Sequence, residues 1–263
     1  MKEWVSIFVL VLSSFTSISI FALDPFGGFY FGVHSGAIKG DASSNIITDA
    51  DITGITTARL TSSGGMNPKS GVTAGLHMGY GKMIHKGYFG AEVFGSFCNH
   101  QQEGSAFSHR RNIAGTPYDE TISNKTIAKI FGLEYGADFI PGYLVSPTTL
   151  LFGRVGVVRS KIGLSSDSDF TYRYSTNIDI GTAGANGSET KLGLRLGLGI
   201  KQIFLKNFCA GLSYVYTNYG NVSASDKKAI WGLAPSEQDF ITINSKINMR
   251  TQVFLLSLTY NFL

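Results

Sequence analysis

In GVTAGLHMGYGK, residues 71 to 82, two kinds of side chain alternate. Val72, Ala74, Leu76, Met78 and Tyr80 hold one parity, while Thr73, Gly75, His77, Gly79 and Gly81 hold the other. Successive side chains of a β-strand point to opposite faces, so a period of two gives one apolar and one small or polar face. LGLRLGLGIK repeats the pattern, with Leu192, Leu194, Leu196, Leu198 and Ile200 against Gly193, Arg195, Gly197, Gly199 and Lys201. A helix repeats every 3.6 residues and does not produce it. A half-buried strand of a soluble sandwich alternates too, but it carries charge on its outer face and rarely runs this long. A strand facing lipid on one side and a barrel interior on the other fits both segments.

Segments of this kind recur near residues 27–38, 70–83, 88–99, 126–140, 148–162, 190–204, 208–220 and 249–263. Each reaches the roughly 9–11 tilted residues that a membrane-spanning strand needs. The connections 84–87, 141–147 and 205–207 are short, whereas 39–69, 100–125, 163–189 and 221–248 are long and polar. Short turns on one side and long loops on the other are the habit of outer-membrane barrels. The predicted fold is all-β: a closed antiparallel transmembrane barrel of eight strands, which leaves no backbone edge unpaired in lipid. Ten strands is the alternative, because Asp169–Ile180 and Ile241–Met249 are also strand-like and either extend their neighbours or add a hairpin.

Composition supports this picture. Charged residues are 15%, against about 25% in an ordinary soluble domain, while aromatics reach 13% and Gly numbers 32 of 263. Residues 1–22, a Lys followed by an apolar run ending in Phe21-Ala22, read as a secretory signal peptide, leaving 23–263 as one barrel domain. The net charge of +4 is modest and no basic cluster marks a nucleic-acid partner; anionic lipid headgroups are the better match.

The chain closes on SLTYNFL, with Tyr260 and Phe262 on one parity, and it carries GFYFGVHSG near the start and YVYTNYGN in the penultimate strand. Together these features resemble the small outer-membrane barrels of Gram-negative bacteria, the OmpA-like and opacity-like families. The resemblance spans essentially the whole mature chain, and Leu263 stands where those families end on an aromatic residue. It implies a monomeric, non-enzymatic cell-surface protein in the outer membrane, surrounded by lipopolysaccharide and recognised by the barrel assembly machinery through its last strand. Its loops would then serve adhesion to a host or matrix ligand, or envelope integrity. A small diffusion channel is the second reading, and a lipid A-modifying enzyme the third.

Inward positions at mid-membrane depth collect His34, His77, Glu92, Glu134, Arg154 and Arg195. Glu134 and Arg154 are expected to face each other across their shared turn, flanked by Glu92 and Arg195, since buried charges persist only when paired. A fixed ionic plug is the plainer reading, and a gate that re-partners is the functional one. Cys98 and Cys209 fall near opposite ends of the barrel, too far apart for a disulfide. Tyr30, Phe31, Tyr88, Phe89, Tyr143, Tyr214, Tyr216 and Tyr260 are candidates for interfacial girdles. Trp231 beside Lys227 and Lys228 is a candidate partner contact, for interface energy concentrates on aromatic anchors. His100, His109, Ser105, Ser108, Glu103 and Asp119 are scattered loop polarity rather than a catalytic set. No cofactor or metal ligation is expected.

Overall fold

The computed structural model describes residues 25–52, 55–111, 118–174, 177–231 and 238–262. Among them run the strands β1 (Gly28–Ile52), β2 (Ile55–Gly65), β3 (Asn67–Pro68), β4 (Ser70–Ile84), β5 (Gly87–Arg111), β6 (Tyr118–Ser146), β7 (Thr149–Tyr174), β8 (Asn177–Leu205), β9 (Phe208–Trp231) and β10 (Gln238–Phe262). The ring order is β1-β4-β5-β6-β7-β8-β9-β10, antiparallel throughout. It closes where β10 pairs with β1 from Phe29↔Phe262 to Asp51↔Phe240. The ring is therefore eight-stranded. β2 takes over the edge of β1 beyond the point where β4 begins, and the two residues of β3 lie on β5.

Alternation sorts the side chains as expected. Phe29, Phe31 and Val33 on β1, Val72, Leu76, Met78 and Tyr80 on β4, and Leu192 through Leu198 on even positions of β8 all point outward. On β1 the outward apolar run ends at Ala37, and Lys39 and Asp41 follow. The corresponding change comes after Val157 on β7, where Arg159 and Lys161 are exposed, and on β10 between Phe254 and Arg250. These limits leave an apolar band of the height expected for a barrel in lipid, about 25 Å. At the short-turn end the band carries an aromatic girdle. Phe29 meets Tyr80 with ring centroids 5.0 Å apart, and Tyr260 lies 5.1 Å from Phe208 and 5.0 Å from Phe262. Phe31, Phe89, Tyr143 and Tyr260 face outward as anticipated, but Tyr30 and Tyr88 are buried in the lumen.

Two expectations need correction. The segments 39–69, 100–125, 163–189 and 221–248 are strand over most of their length and not irregular loops. Alternation continues in them, with Ile46, Leu164, Val222, Ile243 and Ile247 buried between more exposed neighbours, most of them polar, so the ladders extend well past the lipid. The described parts of Asp169–Ile180, which are Asp169–Tyr174 and Asn177–Ile180, belong to that extension, and so does Ile241–Met249. The connection 141–147 is also strand: Pro141 pairs with Phe89, and the turn is Pro147-Thr148 between Ser146 and Thr149. The other short turns lie where the sequence places them, at His85-Lys86 and at Lys206-Asn207. His85 adopts φ 59°, the left-handed conformation that two-residue hairpin turns favour.

The seam between β1 and β10 is testable, because direct partners lie roughly 4.5–5.5 Å apart at Cα, within disulfide reach. With Cys98 and Cys209 replaced by Ser, the pair Ser35→Cys and Leu256→Cys should crosslink on oxidation. Ser35→Cys with Leu258→Cys should not, and the reverse result on a non-reducing gel would mean a slipped register.

Candidate functional site

The lumen holds three layers. At the short-turn end Phe26, Tyr88, Ile140, Leu150, Phe152 and Cys209 form an apolar cluster. Toward the far side of the band Ile38, Phe94, Cys98, Ile130, Val158, Ile162, Tyr219, Val222 and Met249 form a second. Between them lies a charged layer. The two cysteines are free and belong to different clusters, as the sequence implies.

The charged layer follows one pairing row around six strands: Tyr30, Gly79, Glu92, Asp138, Gly156 and Arg195 are successive cross-strand partners. Glu92 and Asp138 are therefore side by side, an arrangement that like charges tolerate only with a cation between them. Arg154 supplies it. Its Nη1 donates to Glu92 Oε1 at 2.8 Å and to Asp138 Oδ2 at 2.6 Å. Arg195 Nη1 lies 3.4 Å from Asp138 Oδ2, with its guanidinium 3.9 Å over the Phe94 ring. Tyr30 donates to Glu92 Oε2 at 3.2 Å, and Lys201 Nζ stands 3.9 Å from the same oxygen and 4.6 Å from the Tyr30 ring.

The two glycines of the row make these reaches possible. A Cβ at Gly156 would lie 2.0 Å from Asp138 Oδ1, and one at Gly79 would lie 2.5 Å from the Tyr30 ring. Asp138 thus reaches over one bare strand toward Arg195, and Tyr30 over another toward Glu92. Gly75 does the same for His34, whose Nε2 is 2.7 Å from Ser96 Oγ. The other ring nitrogen of His34 is 3.3 Å from His77 Nδ1, and His77 Nε2 is 3.0 Å from Thr259 Oγ1.

Of the residues picked from sequence, His34, His77, Glu92, Arg154 and Arg195 gather around this layer. Glu134 does not pair with Arg154. The turn is centred near Pro147 and not near Leu144, so Arg154 sits beside Asp138, and Glu134 lies four residues further outward along β6. There Glu134 accepts a 2.6 Å hydrogen bond from the Tyr219 hydroxyl. Asp138 and Lys201 were missed as members, although both share inward parity with their neighbours Glu134 and Arg195. Trp231, Lys227 and Lys228 are not in a loop but at the end of β9, across from Gln238, Thr242 and Ile241, and their side chains lie outside the described residues. His100 faces the lumen against Gln102, while Glu103 and Ser105 face outward, Glu103 toward Lys69 at 2.9 Å. His109, Ser108 and Asp119 have side chains outside the described residues. Among the described residues no cluster of three or more metal-ligating side chains occurs.

Removing one partner of a buried ion pair typically costs about 3–5 kcal/mol, since the partner charge is left uncompensated. Arg154→Ala should lower the stability of the refolded barrel by that order, read from its urea midpoint in detergent micelles. Gly156→Val should act through Asp138 with no charge removed, and a barrel insensitive to both would exclude this geometry.

Comparison with known proteins agrees with this architecture. A family model described as outer membrane protein beta-barrel domain matches residues 8–262. Among solved structures, OprG from Pseudomonas aeruginosa is 15% identical over 89% of this chain and 96% of its own, with a TM-score of 0.42. Ail, the attachment invasion locus protein of Yersinia pestis, is 13% identical over 87% and 99%, with a TM-score of 0.29. Neisserial surface protein A is 13% identical over 89% and 97%, also at 0.29. No relative among curated proteins matches the sequence. Lipid-facing strands, short turns at one end and a family match across nearly the whole chain lead to one assignment: this protein belongs to the outer membrane β-barrel family and crosses the outer membrane many times by its strands.

Proposed function

We propose that this barrel is a non-enzymatic surface scaffold that stays closed to solutes and holds its outer hairpins toward another surface, as an adhesin-like protein does. The observation that carries the reading is the filled lumen. Two apolar clusters cap the charged layer from both sides, and the cavities beside His34 and Arg195 hold on the order of one water each, at 30 and 20 Å³. Ions crossing such a lumen would have to break the Arg154 bridge and also part Ile38, Ile130 and Met249 above it.

The hairpins support the other half of the proposal. Ladders continue to Arg111↔Asp119, Tyr174↔Asn177 and Trp231↔Gln238. On β1 the stretch from Ala37 to Ile52 adds about 50 Å of strand at roughly 3.3 Å per residue beyond the lipid. Paired strands of that length can place their tips past the surrounding lipid headgroups. Among the described residues no acid orients the Ser96–His34 pair: the second ring nitrogen of His34 meets His77. The absence of an orienting carboxylate favours a binding role over hydrolysis.

In a planar lipid bilayer the refolded protein should be electrically silent, and steady ohmic steps would favour the diffusion-channel reading instead. Displayed on a cell lacking other adhesins, the intact barrel should bind host cells or matrix. Deletion of residues 226–243, which joins Ser225 to its partner Asn244, should cut that binding several-fold at equal surface expression.

A further inference from the structure

The outer wall above the lipid band is not uniform. On β9, β10, β1 and β2 it opens into a groove of about 540 Å³, lined by Ser43, Ser44, Asn45, Ser63, Asn221, Lys246 and Asn248 with the backbone of Gly64. The volume lies within the range of small-ligand sites, about 300–1,000 Å³. Its register is regular. Gly65, Ser43, Asn248 and Asn221 form one cross-strand row, and Ser63, Asn45, Lys246 and Ser223 form the next.

The groove begins at a bulge. β10 steps from Met249, opposite Gly220, to Arg250, opposite Asn218, which leaves Tyr219 unmatched. Gly220 accommodates the step at φ 69°, and its amide donates to Asn218 Oδ1 at 2.9 Å. Bulges bend a strand and re-aim its side chains, and they recur beside binding sites. Beyond this one, Asn221 comes onto the outer wall, opposite Asn248, which holds the outward parity of β10. Arg250 Nε donates to Asn248 Oδ1 at 3.1 Å, and Asn248 Nδ2 to Asn221 Oδ1 at 3.4 Å, so both amides are held in place. Ser44 Oγ donates to Gly64 O at 3.1 Å and ties β2 to the wall.

Among the described residues the lining is hydroxyl, carboxamide and one ammonium, with no carboxylate and no apolar side chain. Such a surface has nothing with which to bury an acyl chain or an aromatic protein anchor. It presents paired donors and acceptors at short intervals, the complement of a polyhydroxylated ring. Its charge is positive: Lys246 is exposed within it, and Arg250 and Lys39 are exposed on the rows beneath, where Asp41 is the cross-strand partner of Arg250.

Height decides what is presented to it. Asn248 lies about 20 Å along the strand from Phe254, the nearest large lipid-facing residue of β10, at roughly 3.3 Å per residue. The groove opens from the side wall of the barrel, just above the lipid. We propose that it holds the sugar headgroup of a phosphorylated glycolipid of the same outer leaflet, the core saccharide of lipopolysaccharide. A glycolipid confined beside the barrel meets this wall at high effective concentration, so modest contacts suffice. The proposal is independent of whether the hairpin tips contact another cell.

The test compares three probes on the intact barrel in detergent micelles: lipopolysaccharide with core sugars, lipid A without them, and the soluble deacylated core oligosaccharide. Affinity is measured by native mass spectrometry or titration. Several neutral hydrogen bonds, each contributing about 0.5–1.5 kcal/mol, predict a preference for the core-bearing form of about tenfold or more over lipid A. Asn45→Ala, Lys246→Ala and Asn248→Ala together should abolish that preference and the binding of soluble core. All three are at the water-facing wall, and heat-dependent gel migration checks that the variant folds. Lys129→Gln, Arg159→Gln and Lys161→Gln, on β6 and β7 away from the groove, should leave the sugar preference intact. Equal affinity for lipid A and the core-bearing form, or a preference that survives the groove substitutions, would overturn the proposal. So would binding of soluble host-type glycans with none for the core.

Discussion

The width of an eight-stranded ring governs this molecule. Its interior has room for side chains and little else, so each long inward residue must find space that its neighbours do not occupy. Here the space comes from bare backbone on the adjacent strand. His77 lies against Gly32, Tyr30 against Gly79, Phe94 against Gly136, Phe152 against Gly199 and Tyr88 against Gly81. Beyond the lipid the device continues, with His100 and Gln102 of β5 packed toward Gly40 of β1. The many glycines of the alternating segments are thus the sockets for the side chains that fill the lumen.

This explains what the sequence disclosed. Alternation in segments such as GVTAGLHMGYGK and LGLRLGLGIK was enough to mark the strands and their lipid face, because lipid tolerates little departure from that pattern, and the count of eight such segments, against the alternative of ten, matches the ring. It was also enough to place Glu92, Arg154 and Arg195 inside. The pairing of Glu134 with Arg154 was not legible, because it depended on where one turn lies. Pro141 looks like a breaker, yet its missing amide hydrogen does not prevent strand geometry, and the chain turns instead at Pro147-Thr148. A six-residue error there moves an inward residue to another inward place, so alternation alone could not expose it.

The outer hairpins were misjudged for a related reason. Their composition is that of loops, rich in Ser, Thr, Asn, Asp and Gly. Once a ladder has formed in lipid, however, each further pair extends it by satisfying backbone groups without nucleating a new sheet. Water outside replaces lipid, so outward positions turn polar while inward ones such as Ile46, Ile243 and Ile247 stay apolar. The alternation persists and only the chemistry of its outer half changes. The groove on β9, β10, β1 and β2 lies in that changed half, and it requires the bulge at Gly220, which no periodicity reveals.

The charged layer then has a role that stability alone does not give it. Burying ion pairs gains little over burying apolar groups of equal volume, because desolvation offsets much of their attraction. A wholly apolar lumen would nevertheless be ambiguous. Sliding one strand by two residues restores the same alternation and the same lipid face, so burial hardly distinguishes the slipped ring from the native one. The row Glu92, Asp138, Gly156 and Arg195 does distinguish them. A two-residue slip of β7 against β6 would move Gly156 from under Asp138 and carry Arg154 out of its bridging position between two adjacent buried carboxylates. Breaking a buried ion pair typically costs about 3–5 kcal/mol, whereas the slipped apolar face keeps its burial and loses little. In this barrel the ions therefore select the register, and the apolar clusters above and below stabilise the register selected.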